Sequence, residues 1–62
     1  SFYDIINKHR VEAVKEKIIS NKYHKYSLLG IAYECGFSSK SSFIRTFKKE
    51  TGISPSEFKK QL

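Results

Sequence analysis

Residues 27–47, Ser-Leu-Leu-Gly-Ile-Ala-Tyr-Glu-Cys-Gly-Phe-Ser-Ser-Lys-Ser-Ser-Phe-Ile-Arg-Thr-Phe, constrain the fold more than any other stretch. They read as a short helix, a tight turn and a second helix. Ser27 is placed to cap the first helix, Gly36 supplies the positive φ that a sharp exit needs, and Ser38 or Ser39 caps the second. Two short helices joined this tightly must cross at a large angle. That is the shape of a helix-turn-helix, which offers its second helix to a surface.

The rest of the chain has little room for other machinery. With 62 residues it is one small domain, and at that size only about 60% of the surface exposed by the unfolded chain is buried on folding. A single cysteine forms no disulfide framework, and no Cys/His cluster has the spacing of a structural zinc site. Cys35 reads as a small buried apolar residue, and its lone thiol fits a reducing cytoplasm. Neither His9 nor His24 has a Cys, Asp or Glu neighbour at ligand spacing, so both read as structural or solvated histidines. Nothing calls for a metal or a cofactor, and no paired carboxylate or nucleophile beside a base suggests an enzyme.

Charge is more informative. Twelve Lys and Arg against six Asp and Glu give a net charge of +6 and a pI near 9.6. This balance favours a polyanionic partner, nucleic acid first and an anionic membrane surface second. From residue 37 onward there are six basic and two acidic residues, against six and four before it, so the half holding the second helix carries most of the excess. The longest apolar run is only a few residues, and no charged leader precedes an apolar core, so no transmembrane or signal segment is visible. The first residue is Ser rather than Met, and we expect a fragment of a longer protein.

Taken in order, the spacing predicts a first helix from about Phe2 or Tyr3 to Ser20. Tyr3, Asn7, Arg10, Val11, Val14 and Ile18 recur at helical spacing as one largely apolar stripe. Phe2, Ile5, Ile6 and Ala13 form a second apolar group round the helix. Either they are end residues lightly covered by this domain, or the helix packs on two sides and one partner lies outside the chain. Residues 21–26 read as a polar loop, and residues 28–35 as a second helix with Leu28, Ile31, Ala32 and Cys35 on one side. Gly30 inside that helix costs roughly 1 kcal/mol relative to Ala. The third helix is expected from about Ser39 to Thr51, ending at Gly52. Phe43 and Phe47 face inward, while Ser41, Ser42, Arg45, Lys48 and Lys49 make a polar, cationic face that no acid interrupts. Ser54, Pro55 and Glu57 describe the start of a last helix, with Ile53 and Phe58 as a hydrophobic staple. Lys59 and Lys60 fit phosphate contacts or plain solvation equally well.

The run Ile31-Ala32, Gly36-Phe37-Ser38-Ser39, Phe43, Arg45, Phe47-Lys48-Lys49, Gly52, Ser54-Pro55 and Phe58-Lys59 resembles the C-terminal signature of AraC/XylS-type bacterial transcription regulators. Arg10, Val14 and Ile18 match the linker helix that precedes that signature. The likeness covers nearly the whole chain, and the phrasing of residues 31–41 is most similar to versions from Bacteroidetes bacteria. The resemblance implies an all-α, homeodomain-like fold: a long N-terminal linker helix over residues 1–20, a helix-turn-helix over 27–51 and a closing helix over 55–62. It implies a cytoplasmic DNA-binding domain normally built of two helix-turn-helix units. This chain then holds the linker helix and the second unit, and the first unit and a sensor domain lie outside it. Phe2, Ile6 and Ala13 would face the missing unit. The sequence departs from the family pattern at Gly30, where a better helix former is usual, at Lys17, where a larger aliphatic residue is usual, and at Val14, where Ala is usual. Lys17 is therefore expected to face solvent.

By the same resemblance, double-stranded DNA is the partner and the third helix enters the major groove. Arg45 is the residue best able to read a base, because its planar fork matches the O6 and N7 acceptors of guanine. Lys40 and Ser41 match family positions that reach base edges. Ser39, Ser42, Lys48 and Lys49 are expected to hold phosphates, helped by the helix N-terminal amides. An alternative is a protein-interaction module contacting RNA polymerase or another regulator domain, through Lys22, Lys25 or Lys60. Membrane-surface binding by the third helix is disfavoured, because its aromatic residues are claimed by the core.

Overall fold

The computed structural model describes residues 1–62, the side chain of Asn21 apart. It is all-helical, with no strand among the described residues: α1 Phe2–Ile19, a 3-10 turn Asn21–Tyr23, α2 Leu28–Glu34, α3 Lys40–Thr51 and α4 Pro55–Lys60. The order is the expected one, a long helix followed by three shorter ones.

Each helix starts on a serine whose side-chain oxygen accepts an otherwise orphaned backbone N–H. Ser27 accepts from Gly30 at 2.9 Å, Ser39 from Ser42 at 3.2 Å and Ser54 from Glu57 at 3.1 Å. Ser1 does the same for Asp4, whose carboxylate reaches back to the N-cap nitrogen, completing a reciprocal capping box at the start of α1. Ser39 is thus the cap of α3 and not its first helical residue, and Ser20 is the C-cap of α1.

The turn between α2 and α3 is a Schellman closure. Gly36 donates to the Tyr33 carbonyl at 3.2 Å and Phe37 to the Ala32 carbonyl at 3.0 Å, with Gly36 at φ +99°. This ends α2 after seven residues and drops Phe37 directly into the core. The side chain of Arg10, on α1, runs over the turn: a β-carbon added at Gly36 would lie 3.1 Å from Arg10 Nε. The long helix therefore lays its Arg10 side chain against the element that sets the angle between α2 and α3.

The core is Val11 and Val14 of α1, Ile31 and Ala32 of α2, Phe37 of the turn, and Phe43 and Phe47 of α3. Ala32 is fully buried, and its small side chain is what lets the neighbouring helix approach closely. A file of rings runs through the centre: Phe37 to Phe43 at 5.3 Å, Phe43 to Phe47 at 6.0 Å, and Phe47 to Phe58 of α4 at 5.7 Å. Tilted and edge-on pairs of this kind contribute about 0.5–1.5 kcal/mol each beyond the area they bury. They fix which face of α3 looks inward, and hence which looks out.

Four expectations change. Tyr3, placed on the inner stripe of α1, is 73% exposed, because the first two turns of α1 carry no buried residue. Residues 21–26 are not merely polar loop: Tyr23 packs on the core and meets Tyr26 ring to ring at 5.2 Å. Lys17 does not simply face solvent. Its ammonium donates to the Tyr23 hydroxyl at 3.3 Å and lies 4.7 Å from the ring centre, and the hydrogen bond raises its pKa. Cys35 is the half-buried C-cap of α2 and not a fully buried side chain.

Candidate nucleic-acid interface

α3 owes its orientation to its inner face. Phe43, Thr46 and Phe47 are buried, and they lie within a third of a turn of one another round the helix. Its end is fixed by Gly52 in the left-handed region at φ +85°, whose N–H donates to the Lys48 carbonyl at 2.8 Å. The Thr51 hydroxyl lies 2.8 Å from the Phe47 carbonyl and 2.9 Å from the Ile53 carbonyl, and accepts from the Ile53 N–H. α4 is stitched to α3 at that point, with Phe58 against Phe47 and Pro55 buried. The helix is thus held at both ends and along its inner side.

What remains faces water. Ser39, Lys40, Ser41, Arg45, Lys48 and Lys49 are exposed and Ser42 is half-buried. Ser41, Arg45 and Lys48 are spaced at i, i+4 and i+7, which stacks them in one strip. Ser42, Arg45 and Lys49 make a second strip beside it. Lys40 stands on the shoulder, one turn from Ile44, which is 38% exposed. The salt bridges among the described residues are Ser1–Asp4 and Lys15–Glu12, so no carboxylate holds Lys40, Arg45, Lys48 or Lys49. Glu50, the one acid of α3, lies on the opposite flank, lining a groove with Lys8, Glu12 and Lys15 of α1.

The cations are also distributed unevenly along the helix axis. Lys48 and Lys49 in the last turn complement the negative end of the helix dipole. Lys40 at the first position, with no acid in the first turn, does the opposite and adds to the positive end. That arrangement disfavours the isolated helix slightly and favours an incoming anion. The Ser39 hydroxyl spends a lone pair on the cap and keeps its hydrogen to donate.

The family model described as a helix-turn-helix domain, of AraC type, matches residues 1–61. The chain belongs to the AraC-type helix-turn-helix family. No curated protein and no solved structure matched it. An AraC-type helix-turn-helix is a DNA-binding unit of transcription regulators, a family that is not enzymatic. Burial pushes the Cys35 thiol up from its ordinary pKa, with the Lys17 ammonium partly offsetting the effect, so the thiol stays protonated near neutrality. Among the described residues no group of three or more His, Cys, Asp or Glu is gathered to hold a metal ion, and no helix is long and apolar enough to cross a membrane.

Two features of α3 were not read from the sequence. Thr46 is buried on the same face as Phe43 and Phe47, and Ile44 emerges at the edge of the cationic face. Helical spacing alone contains the second signal, because Ile44 is about 100° from Phe43 and falls in the row of Lys40 and Lys48.

Proposed function

We propose that this chain binds double-stranded DNA sequence-specifically by inserting α3 in the major groove. Arg45 is the principal base-reading side chain, bidentate to a guanine, and Lys40 and Ser41 reach base edges near the helix start. Ser39, Ser42, Lys48 and Lys49 hold phosphates and set the register. The observation that carries this reading is the outward face of α3: cations without carboxylate partners, interleaved with small serines, on a helix whose inner face is locked by Phe43 and Phe47.

We further propose that α1 joins this unit to a preceding helix-turn-helix of a longer cytoplasmic regulator. Phe2 and Ile5 are 73% and 70% exposed on a helix whose other side is packed against α2 and α3. Exposed Phe2 and half-buried Ile6 and Ala13 line up on the side away from Val11 and Val14, an apolar strip that favours a second packing partner. One unit alone binds weakly. With three or four phosphate contacts, the chain is expected to show a log affinity against log salt slope of roughly −3. Titrating it with random duplexes and with duplexes selected from a random pool, at about 50 mM and 200 mM salt, tests the proposal. Absence of binding to either at low salt would overturn it.

A further inference from the structure

We infer that Ile44 is a specificity-determining residue that reads the C5-methyl group of a thymine in the major groove. This rests on the DNA-binding reading of α3 and adds to it an apolar contact that the cationic residues do not supply.

Ile44 is the aliphatic side chain of α3 that reaches the surface. It is 38% exposed, whereas Phe43 and Phe47 on the same helix are 2% and 0% exposed. It stands midway in a row, with Lys40 one turn before it and Lys48 one turn after it. Any partner that covers Ile44 must therefore also receive those two ammonium groups, neither of which has a carboxylate within ion-pair distance among the described residues. The major groove offers that combination: phosphates along the walls for Lys48 and, on the floor, base-edge acceptors for Lys40 beside the methyl group that only thymine carries. A protein partner would need an apolar knob with an acid on each side at matching spacing.

The inner side of Ile44 is supported as well. With Leu28, Leu29, Phe43 and Pro55 it lines a depression of about 130 Å³ between α2, α3 and α4. This is well below the roughly 300–1,000 Å³ of small-molecule sites, so the depression serves as a backing and not as a ligand pocket. A β-branched side chain on a helix has essentially one χ1 state, so the Cγ2 methyl of Ile44 is presented in one direction before contact. Ile44 and Arg45 are successive residues, with α-carbons about 3.8 Å apart and side chains about 100° apart round the helix. Base pairs rise by about 3.4 Å along a strand. Ile44 and Arg45 therefore address different places on the groove floor, and the thymine and the guanine are separate positions of one site.

The test replaces thymine by deoxyuridine, which keeps the pairing edge and removes only the methyl group. Duplexes are selected from a random pool with the 62-residue chain, and each thymine of the selected sequence is replaced in turn. We expect one replacement to weaken binding by about fourfold, the equivalent of one buried methyl group. Ile44→Ala should bind the thymine and deoxyuridine duplexes equally, while Ile44→Val, which keeps a branched side chain, retains part of the discrimination. Arg45→Ala should lose the guanine preference and keep the thymine effect. Indifference of the wild-type chain to every replacement, or discrimination that survives Ile44→Ala, overturns the inference while leaving α3 as the DNA reader; in that case Ile44 faces a protein. Failure to select any sequence overturns the DNA reading itself and this inference with it.

Discussion

Replacing each of two glycines by alanine separates backbone strain from a specific side-chain contact. Gly52 has φ +85°, and a β-carbon there would meet nothing within 4 Å, so Gly52→Ala is strain alone. Left-handed backbone costs an ordinary residue about 1–2 kcal/mol, and alanine recovers about 0.4–1 kcal/mol by restricting the unfolded chain. A net loss of up to about 1.6 kcal/mol follows from these two terms. Gly36 has φ +99°, and its added β-carbon would sit 3.1 Å from Arg10 Nε and 3.7 Å from Arg10 Cδ. That is inside the roughly 3.5–4.0 Å of a comfortable contact, so the Arg10 side chain must give by a few tenths of an ångström, at up to about 1.5 kcal/mol more. Gly36→Ala is therefore expected to lose more than Gly52→Ala, up to about 3 kcal/mol in total. Each kcal/mol moves the midpoint of a domain this size by about 4–8 °C. Thermal and urea denaturation of the two variants, each also made in an Arg10→Ala background, reads the difference. The excess at Gly36 should disappear with Arg10→Ala. Equal losses at the two glycines, or an excess that Arg10→Ala leaves untouched, would refute the claim that the Arg10 side chain lies against the turn.

One further substitution and one labelling experiment probe the core and the thiol. Phe47→Ala removes the ring that joins Phe43 to Phe58, at about 3–5 kcal/mol; a chain this size is stable by only about 3–9 kcal/mol. Circular dichroism should show most of the helix content lost or a strongly lowered melting point, and a melt within a few degrees of wild type would contradict the ring file as the centre of the fold. Burial raises the Cys35 pKa, so less thiolate is present in the folded than in the unfolded chain at any pH below the folded value. Alkylation should be slower in buffer than in urea at pH about 8.5, and equal rates would contradict the half-buried setting. The sign for stability follows: this contribution is fully present below the unfolded pKa and is lost as pH rises through the folded one.

The helix boundaries were legible because they are written in local chemistry. Ser27, Ser39 and Ser54 cap, Gly36 and Gly52 take positive φ, and Pro55 opens α4, each within a few residues of the bond it makes or permits. The Ser1–Asp4 box has the same local signature and sets the start of α1 at Phe2, the earlier of the two expected positions. What was not legible depends on where helices meet. Tyr3 has the right spacing for the inner stripe, but periodicity does not say that α2 and α3 cover only the later turns of α1. Lys17 finds Tyr23 only because the 3-10 turn folds the chain back by six residues. The same limit applied to the candidate site. Cationic positions of α3 stand out as a pattern, whereas the exposure of Ile44 depends on how far α4 covers that flank.

The most direct test of α3 as a sequence reader is the affinity of Arg45→Ala for the selected duplex and for each of its single base-pair variants. Arg45 is exposed and holds no ion pair among the described residues, so its removal should leave the melting point close to wild type. The account predicts a loss of about 1–3 kcal/mol on the selected duplex, with preference relaxed at one base pair and retained at the others. A uniform loss on every sequence would make Arg45 a phosphate contact, and an unchanged affinity and preference would contradict insertion of α3 in the groove.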